Sequence, residues 1–250
     1  RMKKQNGVLI AAGAYVLWGL LPLYWKAIHG VSALEIVAHR MAWSLVFALV
    51  LLALTRHWGW LAQVRRRPAL LLPFAVTGVL ITVNWLVYIW AVNAGRIVDA
   101  SLGYFINPLV NVLLGVVFLR ERLRPWQWAA IAVALCGVSY LTWSAGQAPW
   151  IGLTLAFTFG IYGLIRKTAR FNSLEGFTME TGVMFLPAVA YLAFLGATGN
   201  LAFGQDGWVT TLLLAFTGVI TAVPLLLFAA GARLVTLPTL GILQYIAPTL

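Results

Sequence analysis

Acidic side chains are nearly missing from this chain. Six Asp and Glu stand against 17 Lys and Arg, and charged residues of either sign make up only 9% of 250 positions. With 62% hydrophobic residues, that is too little charge to clothe one water-soluble globule, so a lipid bilayer is the expected surrounding. Cysteine is equally scarce. Cys136 stands alone inside an apolar run, which excludes a disulfide framework and a thiolate metal site and leaves a packing role. His29, His39 and His57 fall near three different span ends. With no acidic cluster at metal-ligand spacing, no nucleophile motif and no glycine-rich phosphate loop, the chain reads as a non-enzyme without cofactor or metal. The formal charge of +11 does not point to nucleic acid, because the cations sit in short breaks between apolar runs and not on one face.

Long apolar runs are what the chain has in abundance. Crossing about 30 Å of hydrocarbon takes about 20 residues, and about nine segments meet that demand: 7–26, 34–55, 70–92, 100–119, 126–143, 150–165, 177–195, 208–230 and 237–250. Pro68, Pro125 and Pro149 punctuate the connections, and Trp126, Trp150 and Trp208 mark interfaces. Basic residues cluster in every second break: Lys3 and Lys4; Arg56 with Arg65, Arg66 and Arg67; Arg120, Arg122 and Arg124; Arg166, Lys167 and Arg170; Arg233. Those breaks are expected to face the cytoplasm, with the N-terminus inside. The alternate breaks hold Lys26, the Arg96 and Asp99 pair, the uncharged 144–149 stretch and Asp206. A cleaved secretory signal is rejected because Trp18 and Pro22 fall where a small-residue cleavage site would lie. The ninth run stops at Leu250 with no polar residue to hold its end, and Arg1 precedes Met2. A fragment lacking a tenth span of a ten-span protein is therefore expected.

Residues 34–40 (LEIVAHR) return 140 positions later as 174–180 (LEGFTME), with about five spans between them. An odd number of crossings inverts the second copy, and inverted halves commonly enclose a solute pathway. The expected fold is all-α: a polytopic membrane helix bundle of two inverted five-helix repeats, 1–144 and 145–250. That makes ten helices when complete and about nine here, the ninth incomplete.

Polar side chains inside spans are costly against lipid and so mark the bundle interior. Arg40, Asn84 and Asn107 share a layer roughly 9 to 12 Å below the outer surface, counted at 1.5 Å per residue. Glu180, Thr221 and Gln244 form a rougher layer roughly 5 to 14 Å from the inner surface. Arg40 aligns with Glu180 in the other half, and Asn84 with Thr221. The difference in depth argues against a direct Arg40 to Glu180 salt bridge. In the fourth span Ser101, Tyr104, Pro108 and Asn111 recur on one face with Asn107 beside them. Tyr15, Trp18, Pro22 and Trp25 line one face of the first span, Tyr88 follows Asn84 by one turn, and Tyr162 lies in the sixth span. The expected substrate pathway is thus Trp18, Arg40, Asn84, Tyr88, Ser101, Tyr104, Asn107, Asn111, Tyr162, Thr221 and Gln244, with Trp25 read as an interface anchor. Glu180, taken as the only acid inside a span, is the candidate for proton coupling. Blander readings stand beside these: Arg40 snorkelling to outer phosphates, Glu180 pairing with Arg166 or Lys167, and the asparagines bonding neighbouring helices. Gly13, Gly19, Gly160 and Gly163 are expected to let helices approach closely.

Several stretches carry a resemblance to a known family: His39-Arg40, Asn84-Trp85, WAVN at 90–93, SLGYFINPLVN at 101–111, Glu121-Arg122, YGLIRK at 162–167, VPLL at 223–226 and QYIAPTL at 244–250. They span nearly the whole chain, and with them it resembles the RarD group of EamA-type transporters in the drug/metabolite transporter superfamily. The resemblance implies ten helices in inverted repeats, both termini cytoplasmic, in a bacterial inner membrane. The group's name, linked to chloramphenicol sensitivity, suggests movement of small organic molecules. The expected function is a permease moving a drug or metabolite by alternating access, with proton-coupled efflux as one form. A non-transporting scaffold or assembly partner is the alternative. Expected partners are a small-molecule substrate and the lipid bilayer, with a homodimer left open and no nucleic acid. A channel is disfavoured, since no ring of like charges or filter-like segment is present.

Overall fold

The computed structural model describes residues 2–28, 30–56, 58–123, 125–145 and 149–250. His29, His57, Arg124, Arg1 and the middle of the 144–149 connection lie outside the described residues, as do the side chains of Lys3, Lys4 and Trp126.

Helices account for nearly everything described, with no strand among these residues. They are α1 (Met2–Ala27), α2 (Ala33–Thr55), α3 (Gly59–Arg66), α4 (Leu72–Asn93), α5 (Ile97–Leu119), α6 (Pro125–Ala145), α7 (Trp150–Thr168), α8 (Ser173–Ala197), α9 (Trp208–Ala232), α10 (Leu237–Leu243) and α11 (Ile246–Thr249). Local chemistry sets their ends. The Glu35 backbone N–H donates to Ser32 Oγ at 3.3 Å to start α2, and α8 opens with a reciprocal capping box between Asn172 and Glu175 at 2.9 and 3.0 Å. Pro125 begins α6 and Pro149 precedes α7, where a missing backbone N–H costs nothing.

Six helices among the described residues are long and apolar enough to cross a membrane: α1, α2, α4 together with the 3-10 turn Pro68–Leu71, α5, α8 and α9. The protein is a polytopic helical membrane bundle. Two features depart from the sequence reading. The expected ninth span is broken at Gln244 and Tyr245, where the Gln244 backbone N–H is shared between the carbonyls of Leu240 and Gly241, each at 3.2 Å. Such a tightened turn leaves no mark on apolar periodicity. The break between the second and third spans holds a short helix, α3, whose Trp60 is buried with Leu52, Phe74, Phe171 and Met179 while Arg65 and Arg66 stay exposed.

The packing repeats itself. The first half contacts the second through α1 on α9, α2 on α8 and α9, α4 on α7 and α8, and α5 on α7 and α10, with α11 against α1. Exchanging α1 with α7, α2 with α8, α4 with α9 and α5 with the α10–α11 pair returns the same set of contacts between the halves. Two pairs of close helix approaches obey the same exchange. An added Cβ at Gly218 would collide with the Trp43 main chain, and one at Gly78 would lie 3.1 Å from the Glu180 carbonyl oxygen. Gly19 meets Leu250 as Gly160 meets Val110. The glycines of the two pairs, Gly78 with Gly218 and Gly19 with Gly160, stand 140 and 141 positions apart. Small residues at such crossings let helices approach where the hydrophobic effect gives no drive. Gly13 is a correction to the expected set, since nothing lies within 4 Å of a Cβ placed there.

Candidate functional site

Between the halves lies a cavity of about 470 Å³, within the range usual for small-molecule sites. Its walls come from the C-terminal part of α1, the N-terminal part of α2, the C-terminal part of α4, the N-terminal parts of α5 and α7, and the α10–α11 segment. Of the residues expected along a pathway, Trp18, Arg40, Asn84, Tyr88, Ser101, Tyr104, Asn107 and Gln244 all line it. Asn111, Thr221, Tyr162 and Glu180 do not.

Arg40 is 4% exposed, so it does not snorkel to a surface. Its Nε donates to Thr221 Oγ1 at 2.9 Å. Its guanidinium carbon lies 3.6 Å from the Trp85 ring centroid and 4.8 Å from that of Trp25, geometry suited to cation–π attraction. Trp25 is therefore a wall of the cavity. Trp85 leaves no signal in the sequence pattern, because the helical face defined by Asn84 and Tyr88 turns away from an immediate neighbour, yet all three residues line the cavity.

The amides are oriented by neighbours. Asn84 Nδ2 donates to the Leu155 carbonyl at 2.8 Å and to Thr158 Oγ1 at 2.9 Å, which leaves its carbonyl oxygen for the cavity. Asn111 Nδ2 donates to Asn107 Oδ1 at 3.0 Å, so Asn111 positions Asn107 and leaves the Asn107 amino group free to donate. Gln244 Oε1 is buried without a hydrogen-bond partner among the described residues. The Tyr88 and Tyr104 rings meet edge to face at 6.2 Å.

Thr221 and Gln244 correct the two-layer expectation, since one bonds Arg40 and the other shares a cavity with Asn107. Depths counted inward from opposite surfaces converge near the midplane, and a long arginine side chain spans the remainder. Only Glu180 stays apart.

Tyr15, Trp18, Phe159, Tyr162 and Phe228 form a continuous aromatic cluster, with centroid separations from 5.0 to 6.2 Å. Tyr15, Trp18 and Phe159 face the cavity. On the other side, Tyr162 interacts electrostatically with both members of an ion pair, Arg166 Nε to Glu180 Oε1 at 3.5 Å. Arg166 Nη2 also donates to the Ser173 carbonyl at 2.8 Å, and Lys167 pairs with Glu121 at 3.5 Å while donating to the Ala232 and Val235 carbonyls. Glu180 is thus buried beside Arg166, as the blander reading held, but separated from the cavity by aromatic rings. It is not the only acid in a span: Glu35, 2% exposed, lies in α2 and accepts from the Ala202 and Phe203 backbone N–H groups at 2.8 and 3.3 Å. His39, one turn on, lies inside α2 and not at a span end, 3.7 Å from Glu35 and stacked on Phe203 at 4.9 Å. The sequence gives Glu35 little mark as an intramembrane acid, because it stands only two residues into the apolar run.

Comparison with known proteins agrees with this architecture. Residues 5–143 match the model of the EamA-like transporter family. Protein RarD of Streptomyces exfoliatus is 49% identical over 247 residues, covering 98% of this chain and 78% of that protein. An uncharacterized transporter of Pseudomonas aeruginosa is 46% identical over 250 residues, covering 98% and 83%. A solved crystal structure superimposes with a TM-score of 0.70 at 21% identity, covering 98% of this chain and 86% of that one, a likeness of fold.

Proposed function

Because the chain belongs to the EamA-like transporter family and to its RarD group, we propose that this membrane protein is a secondary transporter that moves a small organic solute by alternating access between two inverted halves. The observation that carries this reading is one cavity whose polar groups come from both sides of position 144, closed at one end by aromatic rings and ion pairs. The exchange symmetry of the helix contacts and the paired glycine crossings support equivalent halves, which is what a rocking motion about a central site requires.

The basic breaks support one assignment of the sides. Arg166, Lys167 and Arg120 stand at the ends of α7 and α5, on the cytoplasmic face if positive charge is retained inside. In that orientation, with the N-terminus cytoplasmic in a bacterial inner membrane, the cavity occupies the outer half of the bundle. The Tyr162–Phe228 layer and the Arg166–Glu180 and Lys167–Glu121 pairs close the inner half. Only Lys167–Glu121 joins the two halves; Arg166–Glu180 joins α7 to α8 within the second half, so protonation of Glu180 acts on the inner side by loosening that half's own packing.

Counterflow in proteoliposomes tests the reading with a solute panel that includes chloramphenicol. Tyr104→Ala and Asn107→Ala are expected to lower the flux of any solute that wild type accumulates by about tenfold, the value of roughly one lost oriented hydrogen bond or ring contact. Membrane insertion should be unchanged. Wild-type flux in both variants would remove this cavity from the pathway.

A further inference from the structure

The cavity carries a charge that transport alone does not account for. Among the described residues lining it, Arg40 is the only ionisable side chain apart from tyrosine hydroxyls, and it has no side-chain carboxylate partner among them. All six acids of the chain stand elsewhere. Asp99 pairs with Arg96 at 2.7 Å, Glu121 with Lys167 and Glu180 with Arg166. Glu35 accepts from the Ala202 backbone, Glu175 completes the α8 cap, and Asp206 lies in the connection before α9.

A desolvated guanidinium at membrane depth without a counter-ion is expensive. Trp85, Trp25 and one threonine hydroxyl offset part of that cost, but none supplies negative charge. Thr221 engages Nε, and among the described residues the two terminal nitrogens have no hydrogen-bond acceptor. That edge of a guanidinium matches the two oxygens of a carboxylate. Around it the wall is aromatic: Trp18, Trp85, Tyr88, Tyr104 and Phe159.

We infer that the solute is a small organic monoanion, an aromatic or similarly planar carboxylate whose carboxylate meets Arg40 and whose ring lies against the tryptophan and tyrosine faces. This names the substrate class for the transport reading, on which it rests. One guanidinium balances one negative charge, so a dianion would leave charge uncompensated and an amine would add like charge to the cavity. The Asn84 carbonyl oxygen and the Asn107 amino group offer one acceptor and one donor for a substituent on the ring.

Purified protein in lipid nanodiscs would be titrated, with thermal shift as the readout, against matched carboxylate, amide and amine forms of phenyl, hydroxyphenyl and indole compounds. The carboxylate of at least one set should bind roughly tenfold or more tighter than its amide, the scale of a charge-assisted hydrogen bond, and the amine weakest. Arg40→Gln should erase the preference and Arg40→Lys should keep the order of the three, which separates charge recognition from a folding defect. The inference is overturned if amide or amine binds as tightly as carboxylate in every set, if Arg40→Gln keeps the order, or if none of the compounds binds. Flux of the same compounds into proteoliposomes separates the two readings. Arg40-dependent carboxylate binding without flux sinks the transport reading alone, and flux of amides or amines in place of carboxylates sinks this inference alone.

Discussion

Arg166→Met is expected to destabilise the folded protein by about 3–5 kcal/mol, because it leaves the Glu180 carboxylate buried without its counter-ion. Both side chains are almost fully enclosed, at 2% and 3% exposure. The guanidinium also holds the Ser173 carbonyl at 2.8 Å and lies 5.7 Å from the Phe74 ring. The sequence makes room for it with Gly176, since any Cβ there would run into the Arg166 terminal nitrogen and Phe74. Denaturant titration in mixed micelles measures the loss. Arg166→Met combined with Glu180→Met should recover more than half of it, because exchanging a whole buried pair for apolar groups of similar volume costs little. If single and double variants lose the same amount, the residues contribute through packing and the ionic account fails. The conservative Glu180→Gln keeps the shape and removes the titratable charge. It should fold and yet lose any response of transport to an imposed pH gradient, whereas a response equal to wild type would take Glu180 out of the coupling.

Gly218→Leu should have the second large effect, loss of most folded protein. At this crossing α9 lies against the backbone of α2. The new Cβ would occupy the space of the Trp43 carbonyl group, which has no rotamer by which to move aside. Overpacking costs about 1–3 kcal/mol where side chains yield and more where only main chain is available. The Ser44 hydroxyl bond to the Gly218 carbonyl at 3.3 Å would break as the helices separate, and the Arg40–Thr221 bond at 2.9 Å lies less than a turn away. Carboxylate binding should fall along with the yield of monodisperse protein by gel filtration. Gly13→Leu is the control, since no atom lies within 4 Å of its Cβ position, and its yield should match wild type. Equal yields from the two leucine variants would mean that the α2–α9 crossing does not hold the bundle together.

Much of the architecture is legible in the residues. Apolar run length, proline placement and basic clustering locate helices to within a few residues, as with α2 at Ala33–Thr55 against the expected 34–55. Each of these signals is local and is set by backbone hydrogen bonding and transfer from water. The 140-residue echo announces a repeat, and the glycine crossings at Gly78 and Gly218 recur at the same interval. The polar layer of Arg40, Asn84 and Asn107 follows from the cost of polar groups in lipid.

Which neighbour each polar group meets is another matter. Thr221 reaching Arg40, Asn111 orienting Asn107, Trp25 turning inward, and Glu180 standing behind the Tyr162–Phe228 rings with Arg166 all depend on contacts between helices far apart in sequence. The residues by themselves determined a helical membrane bundle with a costly polar seam, because burial and hydrogen-bond demands act segment by segment. Only the tertiary structure decided that Arg40 faces a cavity with no side-chain carboxylate among the described residues while Glu180 is already paired, because pairing in a low-dielectric interior depends on a few ångströms of packing that no spacing in the sequence encodes.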